Sequence, residues 1–158
     1  MKTSTPIAGM PGTPEHVTYL TLQRVALQHQ YAGAELLREF ELSGPQFNVL
    51  RILRGAPEGG LPCSQIGERL LVHDPDVTRL LDRLEKQGHL RRERASYDRR
   101  VVLSRLTEQG HAVLQAIDQP LAELHAQQFA ALSPEQLTDL ERLLQALLPP
   151  PTPEETVP

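Results

Sequence analysis

Between residues 73 and 106 the chain switches from a helical to an alternating pattern: HDPDVTRLLDRLEKQGHL is followed at once by RRERASYDRR and VVLSRL. Val77, Leu80, Leu81 and Leu84 recur at the spacing that lines one face of a helix, and Gly88 is placed to end it. LRRER and VVLSRL have strand length and flank the turn-forming ASYD. A helix that stops at a glycine and runs directly into a hairpin leaves few architectures open, and the remaining segments must pack around that unit.

Those segments read as helices. Over 15–40, Leu20, Leu27, Tyr31, Ala34 and Leu37 return at spacings that add up to helical turns, with only Gly33 inside. Ser43, Gly44, Pro45 and Gln46 form a capping box, flanked by Leu42 and Phe47 as a hydrophobic staple; a second helix starts there, passes Leu50 and Leu53, and stops at the turn over 55–60. Residues 62–71 predict a short third helix with Ile66 and Leu70 inward. The fourth spans 75–87, with Pro75 at the first helical position, Asp74 as N-cap and Asp76 at the second helical position.

Beyond the hairpin, Leu106 and Thr107 open a fifth helix carrying Leu114, Ile117, Leu121 and Leu124, which Pro120 should bend near Ala116. Ser133, Pro134, Glu135 and Gln136 make a second capping box, Leu132 is placed to staple Leu137, and Leu140, Leu143, Leu144 and Leu147 continue the last stripe. The order predicts a mainly α fold with a small β-hairpin wing, a winged helix-turn-helix whose fourth helix enters the DNA major groove. The first and last helices are more apolar than a small lobe needs, which predicts packing against a second copy. The expected organisation is one domain over 15–148, with dimerisation helices at 15–40 and 111–148 and a DNA-binding lobe at 43–106. Proline-rich tails at 1–14 and 149–158 are expected to be disordered.

The formal charge of −4 is no guide to a polyanionic partner, because the charge is segregated. Residues 41–110 hold twelve basic and ten acidic groups, residues 111–158 one and seven, and residues 76–105 nine and five, eight of the nine bases being arginine. Distribution is what DNA senses. The single cysteine, Cys63, excludes an internal disulfide. No secretory signal or membrane-length apolar run is apparent, so a cytoplasmic location is expected.

The segments LSGPQFNVLRIL, IGERL, DPDVTRLLDRLEKQGHLRR, DRR and LTEQG, in this order and spacing, resemble the MarR-type transcriptional regulators over about residues 20–148. The resemblance implies a homodimeric winged-helix protein that binds double-stranded DNA, usually as a repressor, released by a small phenolic or aromatic acid or by oxidation. It puts the recognition helix at 75–87, the wing at about 90–106 and the wing-tip motif Asp-x-Arg on Asp98 and Arg100. It also implies an effector pocket between the dimer helices and the DNA-binding lobe. This chain differs where the family usually has a small hydroxyl residue, here Asp76, and an alanine, here Gly67; Cys63 lies outside the first helix, where the family's peroxide sensors keep theirs, and the tryptophan of the urate-responsive members is missing.

The expected DNA contacts are Asp76, Thr78, Arg79, Arg83, Lys86, Arg92, Arg94, Asp98, Arg99 and Arg100. Guanidinium bonds bidentately to guanine edges or phosphate and suits a narrow minor groove, which assigns Arg79 and Arg83 to the major groove and Arg100 to the minor. Asp98 either orients Arg100 through an ion pair, as the resemblance suggests, or simply forms the turn. Tyr31, Phe47 and Arg51 are candidate effector linings, since an aromatic acid needs apolar faces and one cation. No metal or other cofactor is expected: His73, Asp74 and Asp76 are too close in sequence, with no second histidine nearby. Nucleophile elbow, phosphate loop, zinc-protease helix and glycine fingerprint are all missing, so no enzyme is expected. The alternative to DNA binding is a winged-helix scaffold whose acidic C-terminal third docks a protein.

Overall fold

The structure, a computed structural model, describes residues 12–70 and 76–149. The readings of His73, Asp74 and Pro75, and of most of both tails, lie outside the described residues. The elements are α1 (Pro14–Arg38), α2 (Gly44–Arg54), β1 (Leu61–Pro62), α3 (Cys63–Arg69), α4 (Val77–Lys86), β2 (Leu90–Arg94), β3 (Val102–Leu106), α5 (Glu108–Gln128) and α6 (Pro134–Gln145). The chain divides into two compact units, one up to Ala122 and one from Glu123. Among the described residues no helix is long and apolar enough to cross a membrane.

Local chemistry sets the helix starts. Ser43 Oγ accepts from the Gln46 N–H while the Gln46 side chain accepts from the Ser43 N–H, and Ser133 and Gln136 repeat the arrangement. Thr13 caps α1 ahead of Pro14. α4 ends as expected at Gly88, whose φ of 80° lets the His89 N–H turn back to the Leu84 carbonyl. Pro120 lies inside α5, which continues through it.

The hairpin is one strand wider than expected. β1 joins it in the order β1-β3-β2, all antiparallel, with Leu61 opposite Ser104 and Pro62 opposite Leu103. An edge position tolerates the proline, which has no N–H to donate. β3 is therefore paired on both sides, and the wing root is tied to the start of α3.

In the first unit the core is built from α2 (Phe47, Val49, Leu50, Leu53), α4 (Leu80, Leu81, Leu84), Ile66, Leu61, Leu90 and, from α5, Leu114 and Ile117. Each fully buried Leu or Ile contributes about 1.5–3 kcal/mol, so α4 is held mainly by its inner stripe. Of the stripe expected along α1 only Leu37 is buried; Leu27 and Tyr31 are exposed. In the second unit Leu143 and Leu144 of α6, and Leu147 in the turn that follows it, are likewise exposed.

Candidate nucleic-acid interface

With Leu80, Leu81 and Leu84 turned into the core, helical geometry forces Thr78, Arg79, Arg83 and Lys86 outward, and all four are exposed. Asp76 is the N-cap of α4 rather than its second helical residue: its carboxylate accepts from the Arg79 N–H at 3.2 Å, and the same group lies 3.3 Å from Arg79 Nε. The helix thus starts two residues later than expected, at Val77. Thr78 Oγ1 also meets Cys63 Sγ at 3.8 Å, so the thiol sits against α4.

The wing tip is a structured turn. Ala95 N–H donates to the Val101 carbonyl and Val101 N–H to the Asp98 carbonyl. Asp98 Oδ1 accepts from the backbone N–H of Arg100 at 2.9 Å and makes no ion pair with its guanidinium, so the turn-forming reading holds and the orienting ion pair does not. Arg94 donates to the Arg99 carbonyl at 3.2 Å, which leaves Arg99 and Arg100 exposed at the tip.

Arg92 takes a different part from the one expected. Its Nη2 lies 2.6 Å from Asp82 Oδ1 and 2.7 Å from Glu85 Oε2, its Nε donates to Glu85 Oε2 at 2.8 Å, and its backbone N–H donates to Glu85 Oε1. The Glu85 hydrogen bond, with Asp82 behind it, outweighs the cost of partial burial and pushes this guanidinium above its ordinary value. Arg92 faces α4 and clamps the wing to it. Asp82 and Glu85 carried no functional reading in the sequence, although their spacing of three on a helix that leads into a strand with arginine at 92 was the available signal.

A second joint explains the LTEQG segment. Thr107 Oγ1 donates to the Gly88 carbonyl at 2.6 Å and accepts from the Gly110 N–H, Thr107 N–H donates to the His89 carbonyl, and Gln109 donates to the Gln87 carbonyl. A Cβ on Gly110 would collide with the His89 carbonyl. The start of α5 is thus fixed to the turn between α4 and β2. Gln46, buried, adds a bond to Gln87 at 3.1 Å while completing its own capping box. His89 is buried with Nδ1 unpaired among the described residues, and burial pushes its imidazole below the ordinary value of 6.5.

The three residues expected to line an effector pocket are only partly brought together. Arg51 stacks 5.8 Å from the Phe47 ring centre. Arg51 lines a cavity of about 240 Å³ with Asn48, Ile52 and Arg69, whereas Phe47 is buried and Tyr31 stands exposed on α1.

A profile of the MarR family matches residues 40–101, which span α2, α3, α4 and most of the wing. The HTH-type transcriptional regulator PecS of Dickeya dadantii is 36% identical over 126 residues, 78% of this chain and 75% of PecS. Among solved structures, a MarR transcription factor from Planctomyces limnophilus is 33% identical with a TM-score of 0.66 over 87% of this chain and 99% of its own. A cysteine-to-serine mutant of MarR from E. coli, crystallised with operator DNA, is 28% identical with a TM-score of 0.73 over 82% of this chain and 91% of its own. An outward arginine face on α4, a wing clamped to that helix, and relatives that match most of both lengths lead to one assignment: the chain belongs to the MarR family of winged-helix transcriptional regulators.

Proposed function

We propose that the protein is a homodimeric repressor that binds a pseudo-palindromic operator, each subunit placing α4 in a major groove and its wing in the flanking minor groove. The observation that carries this reading is the outward exposure of Arg79, Arg83 and Lys86 on α4 and of Arg99 and Arg100 at the wing tip, in a chain whose overall charge is negative. The E. coli relative bound to operator DNA supports it. A protein-docking scaffold has no need of outward arginines on both helix and wing.

Dimerisation is supported by the apolar side chains that α1 and α6 each leave exposed, among them Tyr31 at 73% and Leu143 at 56%. Two-fold symmetry would set the recognition helices about 34–36 Å apart to match successive half-sites. An aromatic acid at Arg51 and the Phe47 side of α2, or an oxidant, would release the operator by changing that spacing. A gel shift on the gene's own upstream region tests the reading: a salt-sensitive complex that survives non-specific competitor is expected, and its absence sinks the proposal.

A further inference from the structure

Away from the recognition helix, a cavity of about 330 Å³ opens where the end of α2, the 55–60 turn, the root of the hairpin and the first turns of α5 meet. Its walls include Arg54, Arg91, Arg105 and His111, with Glu58 the one carboxylate among the lining residues. Arg91 and Arg105 are direct cross-strand partners in the β2–β3 ladder, so the two side chains rise from one face of the sheet. Like charges directly opposite one another destabilise a sheet, and a sequence keeps such a pair at a cost.

The existing partners do not use up these donors. Arg54 gives Nη1 to Asp118, and Arg91 Nε lies 3.4 Å from Glu93. Arg105 has no carboxylate partner among the described residues; its Nε is held by the Gly59 carbonyl at 2.9 Å, which leaves both terminal nitrogens available. The His111 ring has no hydrogen-bond partner among the described residues either.

We propose that this cavity binds a small oxyanion, a metabolite bearing phosphate or carboxylate groups, between Arg91, Arg105, Arg54 and His111. Guanidinium forks match the oxygens of both groups bidentately, and the bound charge would offset the Arg91–Arg105 repulsion. The charged lining sets this ligand apart from the aromatic acid proposed beside Arg51. Because the walls come from β2, β3, the end of α2 and the start of α5, an occupied site ties the wing root to the body of the lobe. That regulatory consequence rests on the DNA-binding reading above; the binding itself does not.

The test melts the full-length protein without DNA at constant ionic strength, with sodium phosphate or sodium citrate replacing sodium chloride. A ligand at about five times its Kd raises Tm by about 2–4 °C in a chain of this size. A saturable rise is expected with at least one of the two anions, lost in R91Q and R105Q and retained in R99Q at the wing tip; which anion acts separates phosphate from carboxylate chemistry. R91Q alters an exposed strand residue and carries the test should R105Q, which loses its Gly59 contact, fail to fold. No saturable rise with either anion, or a rise shared by all variants, overturns the site. If R91Q weakens DNA binding while free phosphate and citrate have no effect, the arginines serve the DNA backbone and the proposal also falls. An anion that binds without changing wild-type operator affinity overturns the regulatory consequence alone.

Discussion

Asp76 meets two demands with one carboxylate. As N-cap it satisfies a backbone N–H at the start of α4, and it also holds Arg79 from 3.3 Å. Asp76→Ala should therefore cost about 0.5–2 kcal/mol of stability, while releasing Arg79 to take phosphate wherever it meets it. Denaturant melts should show the loss, and gel shifts with competitor DNA should show higher non-specific affinity and weaker base preference; unchanged binding would reduce Asp76 to a cap. Arg100 is the opposite case, a side chain with no partner among the described residues, placed by the bond from its own backbone N–H to Asp98. Arg100→Ala should leave the melting curve unmoved and weaken operator binding. Its log-affinity against log-salt slope should fall by about one if the contact is to phosphate, and an unaltered affinity would remove the wing tip from the interface.

At the scale of elements, the wing is positioned by what holds its root. Arg92 joins β2 to α4 through Asp82 and Glu85, and losing hydrogen bonds to charged groups costs about 1–3 kcal/mol. Arg92→Met should weaken operator binding with little change in salt slope, because no phosphate contact is lost, and should speed amide exchange along 90–106; a fall in slope with unchanged exchange would return Arg92 to the DNA contacts. His89, in the turn between the same two elements, gives a pH dependence. Its folded-state value lies below the ordinary 6.5, so well above that pH both states are neutral and it contributes no slope; as pH falls through 6.5, the unfolded chain takes the proton first and stability drops. Between about pH 7 and about pH 5 the wild type should lose stability faster than His89→Gln in parallel melts, and parallel curves would refute the role. Such joints were poorly legible in the sequence, whereas the capping boxes were plain. Ser43 and Gln46 act within one turn, but Thr107 and Gly88 meet only after the hairpin has closed. β1 is two residues long, one of them proline, and gains strand character only by pairing with Leu103 and Ser104. The outward face of α4 was readable because its apolar complement at Leu80, Leu81 and Leu84 has helical period, while the direction of Arg92 depended on acidic partners that alternation does not reveal.

For the whole molecule the question is what the apolar faces of α1 and α6 are for. Neither is needed by the core cluster, to which α1 contributes Leu37 and α6 nothing. A solvated monomer would leave Val17, Leu22, Val25 and Leu27 on one helix, Leu143 and Leu144 on the other, and Leu147 and Leu148 just beyond its end in water, an arrangement expected of surfaces that meet a partner. If the partner is a second copy, affinity for a two-half-site operator contains a large contribution from linkage, since the second half-site is bound at high effective concentration. Replacing Leu143 and Leu147 by glutamate touches no residue of the core, so the helical circular dichroism of each chain should persist. Sedimentation should then show a monomer, and operator affinity should fall by about 10²-fold or more while affinity for an isolated half-site changes little. A variant that stays dimeric would show that these side chains are not the contact, and a monomer that held the full operator as tightly as the wild type would show that the two recognition helices do not act as a linked pair.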